Sequence, residues 1–455
     1  MRVAIVESWG TSLSWWLRLV AEGCDVRVWS DTSDGPNGDV GKNLVPKETS
    51  YERLIQWAKE SPEDTVVLFC ESHYGEKADV LRKDGLYVVG GGAFADKLED
   101  DRKFGQDVAT ACGMHIPKFE AFTSLSDAID AWKGNREGGV FKSDDYLESD
   151  ATQVCTTGDQ LVEYMKHLRE RYRDRVKFII QELVGGRESV DLDLARYWDG
   201  EEFVGPCELT FEHKRFLNDD LGPSTGCALN AVWFTDDYSF AEEVNFDSLA
   251  DIYRRYGASP GVYAYNFRLS DDDGNAYYLE TTPRVGYDSE MTAALLWDSL
   301  SELIWRLATR QGGTQVSSDL AYGVRLSVSP YPHETVDAKD EHSAKGIPLP
   351  RGLGDLYSIP FVAYQVANDA GEGLYVASPE GIVGLACAVG DNLEAMGDDV
   401  NEFIHGLHET VSKLQARTDG VAILQADGAK LEALGVEVHP ALAKGEAGDE
   451  NAKRA

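Results

Sequence analysis

The chain has 455 residues, with 43 Lys and Arg against 79 Asp and Glu, which gives a net charge of −36 at pH 7. So negative a surface disfavours phosphate contacts and excludes unaided nucleic-acid binding. No apolar run approaches the ~20 residues of a membrane helix. Seven scattered cysteines without a CxxC pair are typical of reduced thiols in the cytoplasm. We expect a cytoplasmic, multidomain globular protein, monomeric or homodimeric, that binds no membrane.

Short apolar strands alternate with helices over the first part of the chain. A helix is predicted over Leu13–Ala21, and strands over Val3–Val6, Val26–Trp29, Val66–Phe69 and Tyr87–Val89. This alternation predicts a parallel, doubly wound sheet. The glycine triplet after the last strand either lets the backbone approach a ligand or only makes a tight turn.

The middle of the chain continues as α/β and then becomes rich in strands. A charged helix is predicted over Leu98–Ala111, a second helix over Asp159–Arg173 and a long one over Met291–Leu307. Strands are predicted over Gly139–Lys142 and Val176–Leu183. From residue 322 the pattern is β-rich, with prolines at the turns.

Five features of the sequence suit a nucleotide site. Lys142 ends a hydrophobic strand and can reach phosphates as a point charge. The strand Phe178–Gln181 offers backbone groups to adenine, and Glu188 offers an acceptor to ribose. Glu280 alternates with an apolar neighbour, so it can face a cleft and hold Mg²⁺. Arg284 can clamp a phosphoryl oxygen or a carboxylate bidentately.

Each of these residues also has an ordinary interpretation. Lys142 or Glu280 alone is usually a solvated residue at a strand end, and Arg284 a surface ion-pair partner. His213 is better explained as a hydrogen-bonded structural residue than as a metal ligand. The segment 271–274 fits a hairpin turn better than a calcium loop. The order of the motifs, rather than any single one, carries the functional interpretation.

In that order the chain resembles the ATP-grasp ligases, most closely the phosphoribosylamine–glycine ligases, over residues 1–420. The Rossmann-type dehydrogenases fit poorly, because the glycine triplet lacks GxGxxG spacing. Five segments carry the resemblance: Gly90 to Glu99, Lys142, Gln181–Ser189, Glu212–Gly226 and Glu280–Gly286.

The resemblance implies an α/β chain with the ATP-grasp fold, an N-terminal Rossmann-like domain and a β-rich C-terminal domain. The implied boundaries are 1–97 for the first domain, 98–317 for the ATP-grasp domain with a lid lobe at about 119–190, and 318–430 for the C-terminal domain, followed by an extension over 431–455 that is disordered from about 444.

The family reaction implied for this chain is an ATP-dependent, ADP-forming condensation. ATP phosphorylates a carboxylate, and an amine attacks the acyl phosphate to form an amide. The implied cofactors are ATP and Mg²⁺, with Mn²⁺ as an alternative. The implied substrates are a small-molecule carboxylate, such as the amino acid glycine, and an amine, and the implied pathway is purine biosynthesis.

The resemblance also implies a role for individual residues. The catalytic residues are Arg284 and Lys214, and the metal ligands are Glu280, Thr282 and Asn266. The ATP-binding residues are Arg102 or Lys103 in place of the family's first lysine, Lys142, Gln181, Glu182, Leu183 and Glu188. The substrate-binding residues are Glu212, Ser224, Thr225 and Gly226.

Three departures from the family pattern predict altered substrates. The stretch 143–150 after Lys142 is acidic where the family has a glycine-rich phosphate loop. Thr282 replaces an asparagine, for which Asn266 can compensate. Glu7–Ser12 stands where the family has Gly-Gly-Arg-Glu-His. The alternative is a catalytically weak nucleotide-binding or regulatory protein that kept the ATP-grasp fold.

Overall fold

The computed structural model describes residues 1–30, 38–144, 152–241, 244–285, 288–333, 341–370 and 373–443. Most of the acidic stretch at 143–150, Gly286 and the tail predicted from 444 lie outside these residues. Within the described ranges, no helix has the length and apolar character needed to cross a membrane.

The first hundred residues form a parallel sheet flanked by helices. Its elements are β1 (Arg2–Glu7), α1 (Leu13–Ala21), β2 (Asp25–Ser30), α2 (Tyr51–Ala58), β3 (Thr65–Phe69), α3 (Gly75–Lys83), β4 (Tyr87–Val89) and α4 (Ala93–Asp100). The strand order is β2-β1-β3-β4. The apolar side chains of β1 and β3 are buried on both faces, as in other parallel sheets covered by helices. The chain passes from β1 to β2 on one side and then crosses to β3 on the other side of β1. The strand order therefore reverses between β1 and β3, and a crevice opens at the carboxyl ends of these two strands.

A second lobe, which we call the lid, follows. Helix α5 (Arg102–Ala111) leads into the lid, whose elements are β5 (Phe119–Phe122), α6 (Leu125–Trp132), β6 (Gly139–Ser143), β7 (Thr152–Cys155), α7 (Gly158–Arg171) and β8 (Phe178–Gln181). The four strands of the lid pair antiparallel in the order β5-β8-β6-β7. Helices α6 and α7 cover a separate core, in which the rings of Phe141 and Phe178 are 4.7 Å apart.

A large antiparallel sheet forms the centre of the molecule. Its first elements are β9 (Val190–Trp198), β10 (Phe203–Leu217), β11 (Leu221–Thr235), α8 (Phe246–Tyr256), β12 (Gly261–Leu269), β13 (Ala276–Thr282), α9 (Asp288–Ala293) and α10 (Leu300–Thr309). The strands β10 and β11 form a long hairpin, whose tip includes a 3-10 turn over Asn218–Asp220. The predicted hairpin turn at 271–274 is confirmed, because β12 pairs with β13 across it.

The C-terminal elements extend the same sheet. They are β14 (Leu320–Val328), β15 (Tyr357–Ser358), β16 (Phe361–Ala363), β17 (Val366–Asp369), β18 (Gly373–Val376), β19 (Ile382–Gly390), α11 (Leu393–Thr410), β20 (Leu414–Gln415) and α12 (Gly420–Ala433). The strand order is β13-β12-β9-β10-β11-β14-β19-β16-β15, with β20 paired to β14 and a separate β17-β18 hairpin. The exact domain boundaries stay a prediction.

The single helix predicted over Leu98–Ala111 is wrong. The helix α4 ends at Asp100, and α5 begins at Arg102. Asp101 separates the two because its carboxylate accepts a hydrogen bond from the backbone N–H of Phe104, at 3.0 Å, and so caps the second helix. The break places Arg102 at the first position of α5.

The long helix predicted over Met291–Leu307 is also wrong. The chain forms α9, a 3-10 turn and then α10. Ser299 caps α10, and the carboxylate of Glu22 accepts from the backbone N–H groups of Leu300 and Ser301 at 3.0 and 2.6 Å. A carboxylate from a distant part of the sequence thus occupies a helix N-terminus, where negative charge is stabilising.

Candidate functional site

Four neighbouring strands place a row of polar side chains on one face of the large sheet. Glu280 on β13 pairs with Asn266 on β12. Asn266 in turn pairs with Asp193 on β9, and Asp193 pairs with Thr210 on β10. Directly paired residues point to the same face of a sheet. We call Glu280, Asn266, Asp193 and Thr210 the polar row.

Positive side chains from three other positions surround Glu280. The Nη1 atom of Arg102, on α5, lies 2.7 Å from Oε2 of Glu280. Lys142 reaches across from the lid: its Nζ donates to the carbonyl oxygen of Leu279 at 3.1 Å and lies 3.9 Å from Oε2 of Glu280. Lys214 on β10 adds a third positive charge that acts on the same carboxylate. The cluster therefore bridges the lid and the large sheet, and we call the space between them the cleft.

These charges set the protonation states in the cleft. Although burial opposes ionisation, Lys142, Arg102 and Lys214 hold the pKa of Glu280 well below its ordinary value. Burial lowers the pKa of Lys142 to about 8, despite the opposing pull of Glu280. Glu212 raises the pKa of Lys214 above its ordinary value. The positive groups of Lys142, Arg102 and Lys214 thus converge on Glu280, and such a convergence suits an anionic ligand.

Asp193 is a site residue that the sequence reasoning missed. Burial and the neighbouring Glu212 raise the pKa of Asp193 well above its ordinary value. A carboxyl group in this position would ionise if a cation joined the polar row. The sequence does contain a signal for this residue: Asp191 and Asp193 alternate with Leu192 and therefore point to one face of the strand.

The predicted metal ligands lie together on adjacent strands. Asn266 pairs with Glu280, and Thr282 lies two residues further along β13. Across the described ranges, no three His, Cys, Asp or Glu side chains are grouped to hold a metal ion. Mg²⁺ is usually held by only one or two carboxylates together with substrate phosphates. The polar row, with Glu280, Asp193 and the amide of Asn266, fits that mode of binding.

The predicted adenine-binding residues lie at the end of β8 and in the loop after it, and their surroundings differ. Gln181 is buried, and its Nε2 atom has no hydrogen-bond partner within the described part of the chain. An orphaned donor in this position fits a ring nitrogen of a base. The Glu182 carboxylate instead accepts from the backbone N–H of Lys118 at 2.9 Å. Leu183 and Glu188 are exposed.

The turn between β12 and β13 fixes the loop that follows β8. The carboxylate of Asp271 accepts from the Oγ of Ser189 at 2.6 Å and from the backbone N–H of Glu188 at 3.1 Å. Arg268 donates to the carbonyl oxygen of Val184 at 2.9 Å. The aspartate-rich turn therefore has a structural role next to the candidate nucleotide site.

Arg284 has a carboxylate partner that the sequence reasoning did not identify. Its Nε and Nη2 atoms donate to Oε1 of Glu99 on α4 at 3.0 and 2.9 Å. Glu99 also accepts from the Oγ of Ser72. Arg284 thus lies at the junction between the N-terminal sheet and the large sheet, oriented by α4.

The alternatives left open at Arg102 and Lys103 differ in the structure. Arg102 contacts Glu280, whereas the Nζ of Lys103 lies 2.6 Å from Asp107 on its own helix. The carboxylate of Asp144 accepts from the backbone N–H of Arg102 at 3.0 Å and pairs with Lys177 at 2.7 Å. This first acidic residue of the altered stretch therefore caps α5 and is neutralised by a lysine.

The predicted substrate-binding residues lie along the β10–β11 hairpin. The carboxylate of Glu212 lies 3.2 Å from the Nζ of Lys214. Thr225 donates to the carbonyl oxygen of Lys214 at 2.8 Å, whereas Ser224 and Gly226 are exposed. The hairpin thus brings an ion pair, Glu212 with Lys214, towards the cluster around Glu280.

The chain is similar to ATP-grasp proteins in sequence and in structure, although no family model matches it. The phosphoribosylamine–glycine ligase of Methanocella arvoryzae is 28% identical over 189 residues, which cover 40% of this chain and 42% of that protein. The alignment therefore spans less than half of that relative.

Solved structures extend the likeness to almost the whole chain. The phosphoribosylamine–glycine ligase of Thermotoga maritima superposes with a TM-score of 0.68 at 18% identity, covering 92% of this chain and all of that one. The biotin carboxylase domain of Hydrogenobacter thermophilus 2-oxoglutarate carboxylase, in complex with MgADP and bicarbonate, gives 0.58 at 10% identity and covers 96% of each chain. The expected ATP-grasp fold, and the resemblance to the phosphoribosylamine–glycine ligases in particular, are confirmed.

Proposed function

We propose that the protein is an ATP-dependent carboxylate–amine ligase that forms an amide through an acyl phosphate. The observation that carries this proposal is the convergence of Arg102, Lys142 and Lys214 on Glu280, between the lid and the large sheet. The likeness to a phosphoribosylamine–glycine ligase, and to a carboxylase domain complexed with MgADP, supports the same class of reaction.

In this proposal the protein acts by positioning and by neutralising charge rather than by covalent catalysis. Lys142 and Arg102 bind the phosphates from the lid side and the α5 side of the cleft. Lys214 faces the transferring phosphoryl group, and Arg284 steadies it or the carboxylate. Mg²⁺, held by Glu280 with the other oxygens of the polar row, would neutralise charge on the terminal phosphates.

Adenine would lie against the loop after β8. Gln181 supplies a buried donor, and the exposed Leu183 and Glu188 are free to contact the base and the ribose. Glu182 would contribute through its carbonyl oxygen, because Lys118 engages both its carboxylate and its backbone N–H. Glu212, Ser224, Thr225 and Gly226 would line the carboxylate side of the cleft.

The amine substrate is proposed to differ from phosphoribosylamine. At the carboxyl ends of β1 and β3, the Glu71 carboxylate accepts from the backbone N–H groups of Ser8 and Trp9 at 2.7 and 3.0 Å. Glu7, fully buried, accepts from the N–H of Ser12 at 3.0 Å. Burial and Glu7 raise the pKa of Glu71 to about 7. A phosphate at this crevice would meet two carboxyl groups and occupied N–H groups.

The test is ATP-dependent phosphate release with Mg²⁺, or with Mn²⁺, over a panel of amino acids and amines. We expect release only when a carboxylate and an amine are both present. Arg102→Met should abolish it, whereas Lys103→Met, the matched control on the next residue, should leave it near the wild-type rate. ATP binding without release across the panel would favour the catalytically weak regulatory alternative, and absence of ATP binding would refute both.

A further inference from the structure

The strand β10 presents two different surfaces near its tip. Successive residues of a strand point to opposite faces. Glu212 and Lys214 therefore face the candidate site, while His213 between them points to the other side of the sheet. Contacts to His213 therefore act on the same stretch of strand that carries Glu212 and Lys214.

The other side of the hairpin is bound by a C-terminal segment. We call Arg417, Asp419 and Asp427 the clamp. The Nε2 atom of His213 lies 2.8 Å from Oδ2 of Asp427 on α12, and its Nδ1 lies 3.3 Å from Asp220.

Arg417 is the centre of the clamp and is 1% exposed. Its Nη1 donates to Oδ1 of Asp220 at 2.7 Å and to the carbonyl oxygen of Arg215 at 3.1 Å. Its Nε and Nη2 donate to the two carboxylate oxygens of Asp419, at 2.9 and 2.7 Å. Arg417 thus joins the C-terminal segment to the tip of the β10–β11 hairpin.

The C-terminal segment also bonds directly to the residues of the tip. Asp219 and Asp220 both have left-handed backbone conformations, with φ of 59° and 52°, which cost energy for residues other than glycine. The backbone N–H of Asp219 donates to Asp419 at 2.8 Å, and Asn218 exchanges hydrogen bonds with Thr418 at 3.1 Å in each direction.

The charges around His213 favour its protonated form. Although burial disfavours a charged ring, Asp220 and Asp427 raise the pKa of His213 to about 9. Arg417 and Lys430 face the same two carboxylates from the clamp side, at 2.7 and 3.2 Å. His213 is therefore a charged structural residue at neutral pH, which agrees with its interpretation from the sequence.

We propose that Arg417, Asp419 and Asp427 are positioning residues that hold Lys214 and Glu212 in place for the reaction by fixing the tip of the β10–β11 hairpin. This inference rests on the proposed function, because it takes Lys214 to face the nucleotide phosphates. The active cleft is then completed by a segment more than 200 residues away in the sequence.

The test is the Kd of MgATP, measured by calorimetry. Asp427→Asn should raise this Kd by at least about threefold, because Lys214 is no longer held towards the phosphates. The increase should disappear when Lys214 is already replaced by methionine, which separates a loss that acts through Lys214 from a general one. Asp427→Glu should keep the affinity closer to that of the wild type, and Glu432→Gln, an exposed carboxylate on the same helix, is the control.

The outcomes separate the two proposals. An equal Kd in the wild type, Asp427→Asn and Arg417→Gln, or an increase that persists in the Lys214→Met background, would overturn the positioning role. Absence of MgATP binding by the wild type would instead overturn the nucleotide site. Thermal unfolding of each variant shows whether it is folded, and Asp427→Asn keeps the side-chain shape in case Arg417→Gln does not fold.

Discussion

Replacing Glu280 with glutamine should weaken the folded protein as well as its activity. The side chain keeps its volume, but Arg102, Lys142 and Lys214 lose the carboxylate that neutralises them. Breaking a buried ion pair by removing one partner costs about 3–5 kcal/mol. The Glu280 side chain is 26% exposed, and Lys142 can lose its proton near pH 8. We therefore expect the free energy of unfolding to fall by less, about 2–3 kcal/mol at pH 7.

The pH dependence provides a second check on this variant. The folded-state pKa of Glu280 lies below its ordinary value of 4.5, so its contribution is present above that value and is lost as the pH falls through the folded pKa. Urea unfolding at pH 7 and at pH 3 should show a difference between wild type and Glu280→Gln that shrinks at the lower pH. Glu120→Gln, an exposed carboxylate in the lid, should show no difference at either.

The same variant should no longer respond to nucleotide. A ligand at about 100 times its Kd stabilises a folded protein by about 2.7 kcal/mol, and MgATP should do this for the wild type alone. If Glu280→Gln is as stable as the wild type at pH 7, the cations do not need this carboxylate and the electrostatic reasoning is refuted.

Three further predictions concern the framework. Gly420→Ala would place a methyl group against the Oη of Tyr322 and should lower the thermal midpoint markedly. Gly406→Ala, in open space on α11, should instead raise stability by up to about 1 kcal/mol. Midpoints equal to that of the wild type would contradict both. Asp101→Ala removes the cap of α5 and should cost about 1 kcal/mol in urea unfolding, and an unchanged midpoint would argue against the cap. All seven cysteines are free, and only Cys24 is not buried. A thiol reagent should therefore modify about one thiol in the native state and seven after denaturation. Rapid reaction of several thiols in the native protein would contradict the packing of the buried cysteines.

Much of the fold follows from patterns that are local in the sequence. The apolar run Val66–Phe69 forms the strand predicted for it because a buried parallel strand needs only a short, continuous apolar segment. The motif order correctly indicated the ATP-grasp fold. The two helix breaks were not predictable in this way. Asp101 and Glu22 interrupt or cap helices through hydrogen bonds that periodicity does not register.

Several residues of the candidate site were predictable from the sequence, but their arrangement was not. Lys142 was singled out at the end of a strand and Glu280 by its alternation with an apolar neighbour, and the structure brings the two together. The role of Glu99 as the partner of Arg284, and that of Asp193 in the polar row, depend on which strands and helices become neighbours. Such pairings are set by register and tertiary packing, which a single sequence does not reveal.

The pairing of β11 with β14 determines which parts of the molecule can exist alone. The lid has its own sheet and core, so excision of about 119–181 would remove a unit whose hydrogen bonds are mostly internal. A truncation after residue 317 would instead strip β14 from the middle of a sheet and expose an edge of β11, and open edges of this kind favour aggregation. Shortened versions of the protein should therefore keep the C-terminal strands whenever they keep the candidate site.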